Sequence, residues 1–484
     1  MKHKKIKPNN IDYTTPYVMP ILLFIMDYLA ILAAQAAAIC LRQNLTILSY
    51  YNHMNDIPAM YFYFLVPCVF VAFLYNSQAY VNRIPFWDVI QKVFYAVLYS
   101  IMVCIVMMYF GHIAGGVSRI YVILLGLLAF CFLCTFRYFL KKILCTFNLL
   151  LEPIIVIGAG KTAELIDREI GNDTGFGFKI IGFIDDNPVS EKLPLKYPIL
   201  GKFNNIERVI KAAKVSTVII AVPGLDKEKQ LQLINRIQPL VKNISFVPDL
   251  IGAPISNMEL QKLYNARIMM LKVKNNMSSW YNRLLKNISD KIGGYIIFIL
   301  CIPILAVIAV CIKKDSKGTV FFNAKRIGKN NREFTCYKFR TMYANADEIL
   351  EQYLKDNPQA RDEWSTFRKI RGCDPRVTKV GKWLRKYSLD ELPQVINVIK
   401  GDMGLVGPRP YLPEERGQMG DFIKIITQTL PGITGLWQVS GRNEITFEDR
   451  LKMDAWYIQN WSIWMDIVLL YKTIYVVLFS KGAY

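Results

Sequence analysis

The chain has 484 residues, 53% of them apolar, and its 59 Lys+Arg against 38 Asp+Glu leave a net charge of +21. That length allows two to four domains; so apolar a chain is neither disordered nor purely water-soluble, and its basic excess points to anionic lipid, sugar nucleotide or nucleic acid as partner. The three histidines, His3, His53 and His112, all fall in the first quarter, which excludes His-based triads, zinc-protease sites and imidazole bases from everything after them.

Four apolar stretches come first, at about 17–40, 58–77, 88–110 and 120–140, each near the ~20 residues that cross ~30 Å of hydrocarbon as a helix. Ala33, Ala34, Ala36, Ala37 and Ala38 resemble a signal-peptide cleavage region, but with three spans following they read as the small residues of a close helix contact. Lys2, Lys4, Lys5 and Lys7 precede the bundle and Arg137, Lys141 and Lys142 leave it, whereas the loops at 42–57 and 111–119 carry only Arg42 and Arg119. The positive-inside rule then puts both ends of a four-helix bundle, 1–145, in the cytoplasm. Eight of the ten cysteines lie in or beside apolar runs. Cys131-x-x-Cys134 has no second pair, so it reads as small hydrophobes of a reduced, cytoplasm-facing protein rather than a metal site.

From Glu152 the pattern becomes soluble α/β. Pro153–Ile157 is a buried-strand run, Gly158-Ala-Gly160-Lys-Thr-Ala163 opens a helical pattern, and strand-like runs recur at 179–184, 217–221, 244–247 and 267–271. Gly160-Lys161-Thr162 resembles the end of a P-loop, yet the first glycine of that motif would fall at Ile155. The segment fits G-x-G-x-x-A better, with Asp185 ending the second strand where an acid holds a ribose hydroxyl. The expectation is a Rossmann-like domain over 152–272. Gly158, Gly160 and Asp185 are its candidates for a nicotinamide or other nucleotide, and a structural or regulatory role is the alternative reading.

Residues 292–312 are again apolar, but Lys286 and Lys291 precede them, Lys313, Lys314 and Lys317 follow, and Pro303 lies near the centre. Cations on both flanks and a proline that removes a backbone donor predict a helix over about 286–312 that enters the membrane, kinks and returns. A fifth true span is the alternative.

The C-terminal third is punctuated by Gly and Pro: Val320–Gly328, Tyr337–Met342, Asp374–Thr378, Arg385-x-x-Ser388-Leu-Asp390-Glu391-Leu-Pro393-Gln394, Gly401–Pro410 and Pro431–Arg442. Asp390 and Glu391 have two readings. Ser388-x-x-Glu391 is a helix capping box, although Pro393 favours a later helix start. Alternatively the carboxylates form a pair that holds Mg²⁺ or attacks phosphorus. Lys338, Arg340, Arg376, Arg385, Arg409 and Arg442, with Gln438, surround them in turn-rich segments suited to binding phosphate.

These segments resemble those of bacterial polyprenyl-phosphate hexose-1-phosphate transferases, the large monotopic phosphoglycosyl transferases, and most closely the undecaprenyl-phosphate galactose phosphotransferases. The resemblance covers the whole architecture and is most specific over Ser388–Pro410. It implies a membrane protein combining a four-helix bundle, a Rossmann-like domain and a catalytic domain, 280–484, with a re-entrant helix. It implies that Asp390 is the nucleophile on the sugar-linked phosphate of a UDP-hexose, galactose before glucose. It makes Glu391 the partner acid for Mg²⁺, with Asp390 a second candidate ligand, and Lys338, Arg385 and Arg409 basic active-site positions. Asp290, Pro303, Lys313 and Lys314 then belong to the side of the undecaprenyl phosphate acceptor. Implied too are UMP as leaving group, a bacterial inner-membrane location with the catalytic domain cytoplasmic, and a role in starting O-antigen, capsule or exopolysaccharide synthesis. Nucleic acid is not an expected partner, and a homodimer is. Trp456, Trp461, Trp464 and the helix to about 480 read as an interfacial anchor or as core. Two positions depart from the family pattern: Ile302 stands where Ser usually precedes the proline, and Gly404 where Ser is frequent. A membrane-anchored nucleotide-sugar oxidoreductase and a non-catalytic assembly scaffold are the competing functions; neither needs the Arg-rich acidic pair.

Overall fold

The computed structural model describes residues 15–44, 58–80, 84–111, 117–147, 151–173, 177–248, 258–263, 268–273, 275–357, 361, 374–440 and 445–478. The chain divides into two compact units, Met1–Asp249 and Leu250–Tyr484.

The first unit opens with helices α1 (Thr15–Asn44), α2 (Val66–Asn76, entered through a π-helical turn Tyr61–Leu65), α3 (Phe86–Phe110) and α4 (Arg119–Thr146). Their core mixes small and large apolar residues, with Ala30, Ile31, Ala34, Phe70, Val93 and Leu133 fully buried, so Ala34 serves packing. Helices α1, α3 and α4 are long and apolar enough to cross a membrane, whereas the helical run Tyr61–Asn76 is shorter than the expected second span. Arg137 is not a free flanking cation: its Nε and Nη2 lie 2.9 and 2.6 Å from the two oxygens of Asp27, both residues being buried. An unpaired charge there would be costly, and Asp27 supplies its partner. Lys141 and Lys142 remain as the cations beyond it.

The same unit continues into a parallel five-stranded sheet, ordered β3-β2-β1-β4-β5, from β1 (Glu152–Ile157), β2 (Phe178–Ile184), β3 (Ile199–Gly201), β4 (Thr217–Ile220) and β5 (Asn243–Phe246). Helices α5 (Lys161–Asn172), α6 (Leu193–Lys196), α7 (Ile206–Ala213) and α8 (Lys227–Ile237) make the crossovers. Both faces of β1 are buried, Ile155 and Ile157 in one core and Ile154 and Val156 in the other, which is why that strand reads as a continuous apolar run. The order agrees with the doubly wound pattern expected of the sequence.

The second unit starts with an antiparallel hairpin of β6 (Met258–Leu263) and β7 (Ile268–Val273). The run expected as a last strand of the middle domain thus pairs locally and groups with the C-terminal unit. Helix α9 (Trp280–Asp315) follows as one uninterrupted helix with Pro303 inside it. Next come a second antiparallel hairpin, β8 (Phe321–Ile327) with β9 (Glu333–Phe339), and α10 (Ala346–Asp356). Then follow α11 (Lys379–Lys386), α12 (Gln394–Lys400), the parallel pair β10 (Gly404–Val406) and β11 (Gly432–Thr434), α13 (Phe422–Ile426), α14 (Leu436–Val439), α15 (Phe447–Gln459) and α16 (Ile463–Leu478).

Trp461 is buried in the main core of this unit and Trp464 is 9% exposed, so both are packing residues. The exposed apolar stripe of α16 is Ile467, Tyr471, Ile474 and Tyr475, at the spacing of one helix face.

Candidate active site

Asp390 and Glu391 sit on a single 3₁₀ turn, Leu389–Glu391, between α11 and α12. Ser388, at φ 55°, takes the left-handed conformation that reverses the chain after α11. Its side chain makes no cap bond to the turn, and Glu391 Oε1 instead pairs with Lys338 Nζ at 2.6 Å. The capping-box reading is therefore set aside, and α12 starts behind Pro393, as the proline requires.

Lys338 is carried by β9, and Asn397 fixes that strand against α12. Asn397 Oδ1 accepts the Tyr337 N–H at 3.0 Å and its Nδ2 donates to Thr335 O at 2.7 Å, with the side chain wholly buried. One amide thus holds the lysine strand and the carboxylate turn in register. Lys400 Nζ adds a bond to Tyr337 Oη at 2.7 Å. Arg385 reaches back from α11, its Nε 2.9 Å from Thr341 Oγ1.

Burial first, and then the adjacent Glu391 charge, push the Asp390 carboxyl up to about 6, against the pull of Lys338 and Arg385. Two crowded carboxylates offering only oxygen donors suit Mg²⁺, which binds through one or two carboxylates and keeps its remaining positions for water and substrate phosphate. Among the described residues no cluster of three or more His, Cys, Asp or Glu side chains could hold a metal ion.

The other expected cations separate by role. Arg409 lies with its guanidinium carbon 5.5 Å from the Trp437 ring centre and 6.0 Å from that of Tyr411, while its backbone N–H donates to Asp454 Oδ2 at 3.0 Å. Arg376 is bound to Asp374, Nη2 to Oδ2 at 2.7 Å, and this pairing holds the Asp374 carboxyl below its ordinary range against the cost of burial. Arg340 does not face the pair: buried, it donates to Lys317 O at 2.8 Å and to Ser316 O and Oγ at 2.9 and 2.8 Å, closing off the end of α9. Gln438 Nε2 donates to Ile433 O at 3.0 Å. Arg442 lies outside the described residues.

Of the residues expected on the acceptor side, Asp290 is buried and bonded within the fold. Its Oδ1 takes Lys286 Nζ at 3.0 Å and the Leu405 N–H at 3.2 Å, and Lys286 also reaches Asp466 Oδ2 at 2.8 Å. The Gly404 departure fits this: a β-carbon there would stand 2.6 Å from Asp290 Oδ2. Lys313 and Lys314 are exposed on the last turn of α9. Pro303 lines an open apolar hollow of about 680 Å³ between α9 and α11, with Ile304, Val307, Val380 and Trp383, and Lys379 beside them.

In the α/β domain, Gly158 has φ +100° and lies so close to β4 that a β-carbon would meet Ala221 O at 2.7 Å. Asp185 gives one oxygen to the Ala159 N–H at 2.6 Å and the other to the Asn187 N–H at 2.9 Å. The acid expected to hold a ribose instead ties down its own glycine loop, and Gly160 is the N-cap of α5 with open space beside it.

Sequence reasoning missed Asn397, Asp454, Arg450 and the role of Arg326. A buried amide or acid on a helix has no signature in spacing, and strand alternation does not reveal which arginines turn inward.

Comparison with known proteins matches residues 281–480 to the bacterial sugar transferase family and residues 74–248 to a CoA-binding domain family. An uncharacterized sugar transferase of Haemophilus influenzae is 35% identical, the match covering 85% of this chain and 87% of the relative. A UDP-galactose-lipid carrier transferase of Erwinia amylovora is 34% identical, covering 85% and 86%. The undecaprenyl-phosphate galactose phosphotransferase of Salmonella typhimurium is 30% identical, covering 87% and 88%.

Proposed function

We propose, for a chain that belongs to the bacterial sugar transferases and is a phosphoglycosyl transferase, that it transfers hexose-1-phosphate from a UDP-hexose to undecaprenyl phosphate through a covalent intermediate on Asp390. Galactose is the first choice of sugar, after the galactose transferases of Erwinia amylovora and Salmonella typhimurium, and glucose the second. The observation that carries the reading is the half-buried pair Asp390–Glu391, set against Lys338 and Arg385 on a turn that packs on α9.

A carboxylate oxygen of Asp390 attacks the sugar-bearing phosphorus. The bond to the bridging oxygen breaks, UMP departs with that electron pair, and an acyl phosphate remains. An oxygen of the lipid phosphate then attacks the same phosphorus, the acyl phosphate bond breaks, and the Asp390 carboxylate is regenerated with undecaprenyl-diphosphohexose as product. Neither step needs an imidazole, since attacking and leaving groups are already ionised near neutral pH. Lys338 keeps Glu391 oriented and lowers the cost of its charge beside Asp390, and Arg385 faces the same carboxyl. Asp390 and Glu391 would hold Mg²⁺, which would neutralise charge on the diphosphate. The hollow at Pro303 and the exposed Lys313 and Lys314 suit a polyprenyl chain and its head group. This reading keeps the catalytic unit on the cytoplasmic face of the inner membrane.

The test is the nucleotide released by the full chain in detergent with Mg²⁺, undecaprenyl phosphate and UDP-galactose or UDP-glucose. UMP release is expected, reduced on the order of a thousandfold or more by Asp390→Asn, with a phosphosugar adduct on the intact wild-type protein when acceptor is left out. Release of UDP, or UMP release that survives Asp390→Asn, would overturn the covalent aspartate.

A further inference from the structure

Beside the acidic pair, on the side built from β8, α14 and α15, buried donors gather without acceptors. Arg326 Nε and Nη1, Arg450 Nε and Trp437 Nε1 are all shielded from solvent and make no hydrogen bond. Arg450 and Arg409 place their guanidinium carbons 5.1 and 5.5 Å from the Trp437 ring centre. Arg326 feels the charge of Arg409 most among the charged groups, and those of Glu415 and Glu391 as well, so it is within electrostatic reach of the acidic turn. Arg450 likewise faces Arg409, with Tyr411 and Glu415 near. The nearby acids do not pair with these donors: Glu415 Oε2 accepts the Leu412 N–H, Glu391 pairs with Lys338, and Asp454 uses only Oδ2, for the Arg409 N–H and Tyr411 Oη, while its Oδ1 has no partner.

Burying a guanidinium nitrogen with no acceptor is costly, more so when charged, and here the burial is compounded by like charge. Burial and the Arg409 charge hold both Arg326 and Arg450 below their ordinary protonation range. A fold retains such a cluster when something else brings the acceptors, and neighbouring guanidinium groups with unused donors suit the oxygens of a phosphate.

We propose that Arg326, Arg450 and Trp437 complete, with Arg409, a recess for a phosphate monoester next to the Asp390–Glu391 turn. It rests on the transfer reading, and in-line geometry supplies two sources. The phosphate of the departing nucleoside monophosphate lies opposite Asp390 in the first step, and the lipid phosphate attacks from that direction in the second. Both are monoesters with the same chemistry. The recess sets where that phosphate sits and so aligns leaving group and acceptor with Asp390.

The experiment uses the full chain in detergent, with Arg326→Met and Arg450→Met. Binding of UMP and of undecaprenyl phosphate is followed by ligand-induced shifts in thermal unfolding, beside UMP product inhibition of turnover. Loss of affinity for UMP of about tenfold or more, as expected for a lost charge-assisted pair, with the lipid phosphate unaffected, assigns the recess to the nucleotide. The converse loss assigns it to the acceptor, and loss of both to the two in turn. Without ligand, both variants are expected to unfold at or above the wild-type temperature, because an unpaired buried cation has been removed; Arg326→Lys should restore only part of the affinity. Unchanged affinity for both ligands overturns the recess, as does a lowered unfolding temperature with ligand dependence intact, which would mark the arginines as structural. Failure of the transfer reading is separate: it would appear as absent UMP release from a wild type that still binds UMP.

Discussion

Asp454 is wholly buried, with Oδ2 taken by the Arg409 N–H and Tyr411 Oη and Oδ1 without a partner. Burial outweighs those bonds and pushes its carboxyl up to about 7. An unfolded aspartate ionises near 3.9, so between these limits the folded state holds a proton that the unfolded state has released. Stability therefore falls as pH rises through that window, by at most about 4 kcal/mol. Asp390, raised to about 6, adds to the same trend over a narrower range. Asparagine keeps the acceptor for both bonds and cannot ionise. Asp454→Asn should accordingly flatten the decline of the unfolding midpoint of the full chain in detergent between pH 5 and pH 7.5, leaving the share due to Asp390. A slope identical to wild type would mean that Asp454 is ionised in the fold throughout.

At the scale of elements, the catalytic geometry depends on how α12 is keyed to β9, and Asn397 is the key. Replacing it with Ala leaves the Tyr337 N–H and Thr335 carbonyl without their partner inside the fold, a loss of about 2–3 kcal/mol. The Lys338–Glu391 pair is expected to loosen with it. Asn397→Ala should lower both the unfolding temperature and turnover, whereas Asn397→Asp keeps the acceptor for Tyr337 but meets Asp402, whose Oδ2 is 3.3 Å from the amide nitrogen. A stable Asn397→Ala protein with full turnover would sink this account. The elements differ in how openly the sequence declares them. The strand Pro153–Ile157, the glycine turn after it and the apolar run 292–312 follow from hydrophobic period and length alone, and the structure has all three. The pairing of Asp390 with Glu391 was legible because a Gly/Pro-punctuated, Arg-rich segment surrounds them, and the structure sets both on one turn. The assignments of Arg340, Asp290 and Asp185 were not, because each is an ionisable group whose partner is set by a distant segment: Ser316 for the first, Lys286 and Leu405 for the second, Ala159 for the third. Composition can say that an arginine stands in a turn, and tertiary contact decides whether it faces a ligand or a carbonyl. Trp461 and Trp464 make the same point for aromatics, since their spacing fits an interface and a core equally.

For the whole molecule, whether α9 crosses the membrane turns on the two ends of the helix. Near its start, Lys286 Nζ donates to Val406 O at 2.9 Å and Asp290 accepts from Leu405. At its end, Ser316 accepts from Arg340, and Asp315 Oδ2 accepts the Val380 N–H at 3.0 Å. Between these, Ile308 and Ile312 pack against Phe339 and Leu384, whereas Ile292, Ile296, Ile299, Leu300, Val307 and Val310 are exposed. One face of the helix thus lies along the catalytic unit and the other is free for lipid. A full crossing would set β10 and the end of β9, parts of one compact unit, on opposite sides of ~30 Å of hydrocarbon. Charged backbone-bonding loops of that kind do not reside in lipid. The two ends of α9 are therefore expected on the same face as each other, with lipid covering the exposed stripe. In a background without native cysteines, Tyr281→Cys and Lys317→Cys should both react with a membrane-impermeant maleimide in inverted inner-membrane vesicles and both be protected in right-side-out ones. Opposite labelling of the two positions would establish a true span, and would require that the contacts of Arg340 and Lys286 with the helix not coexist in the membrane.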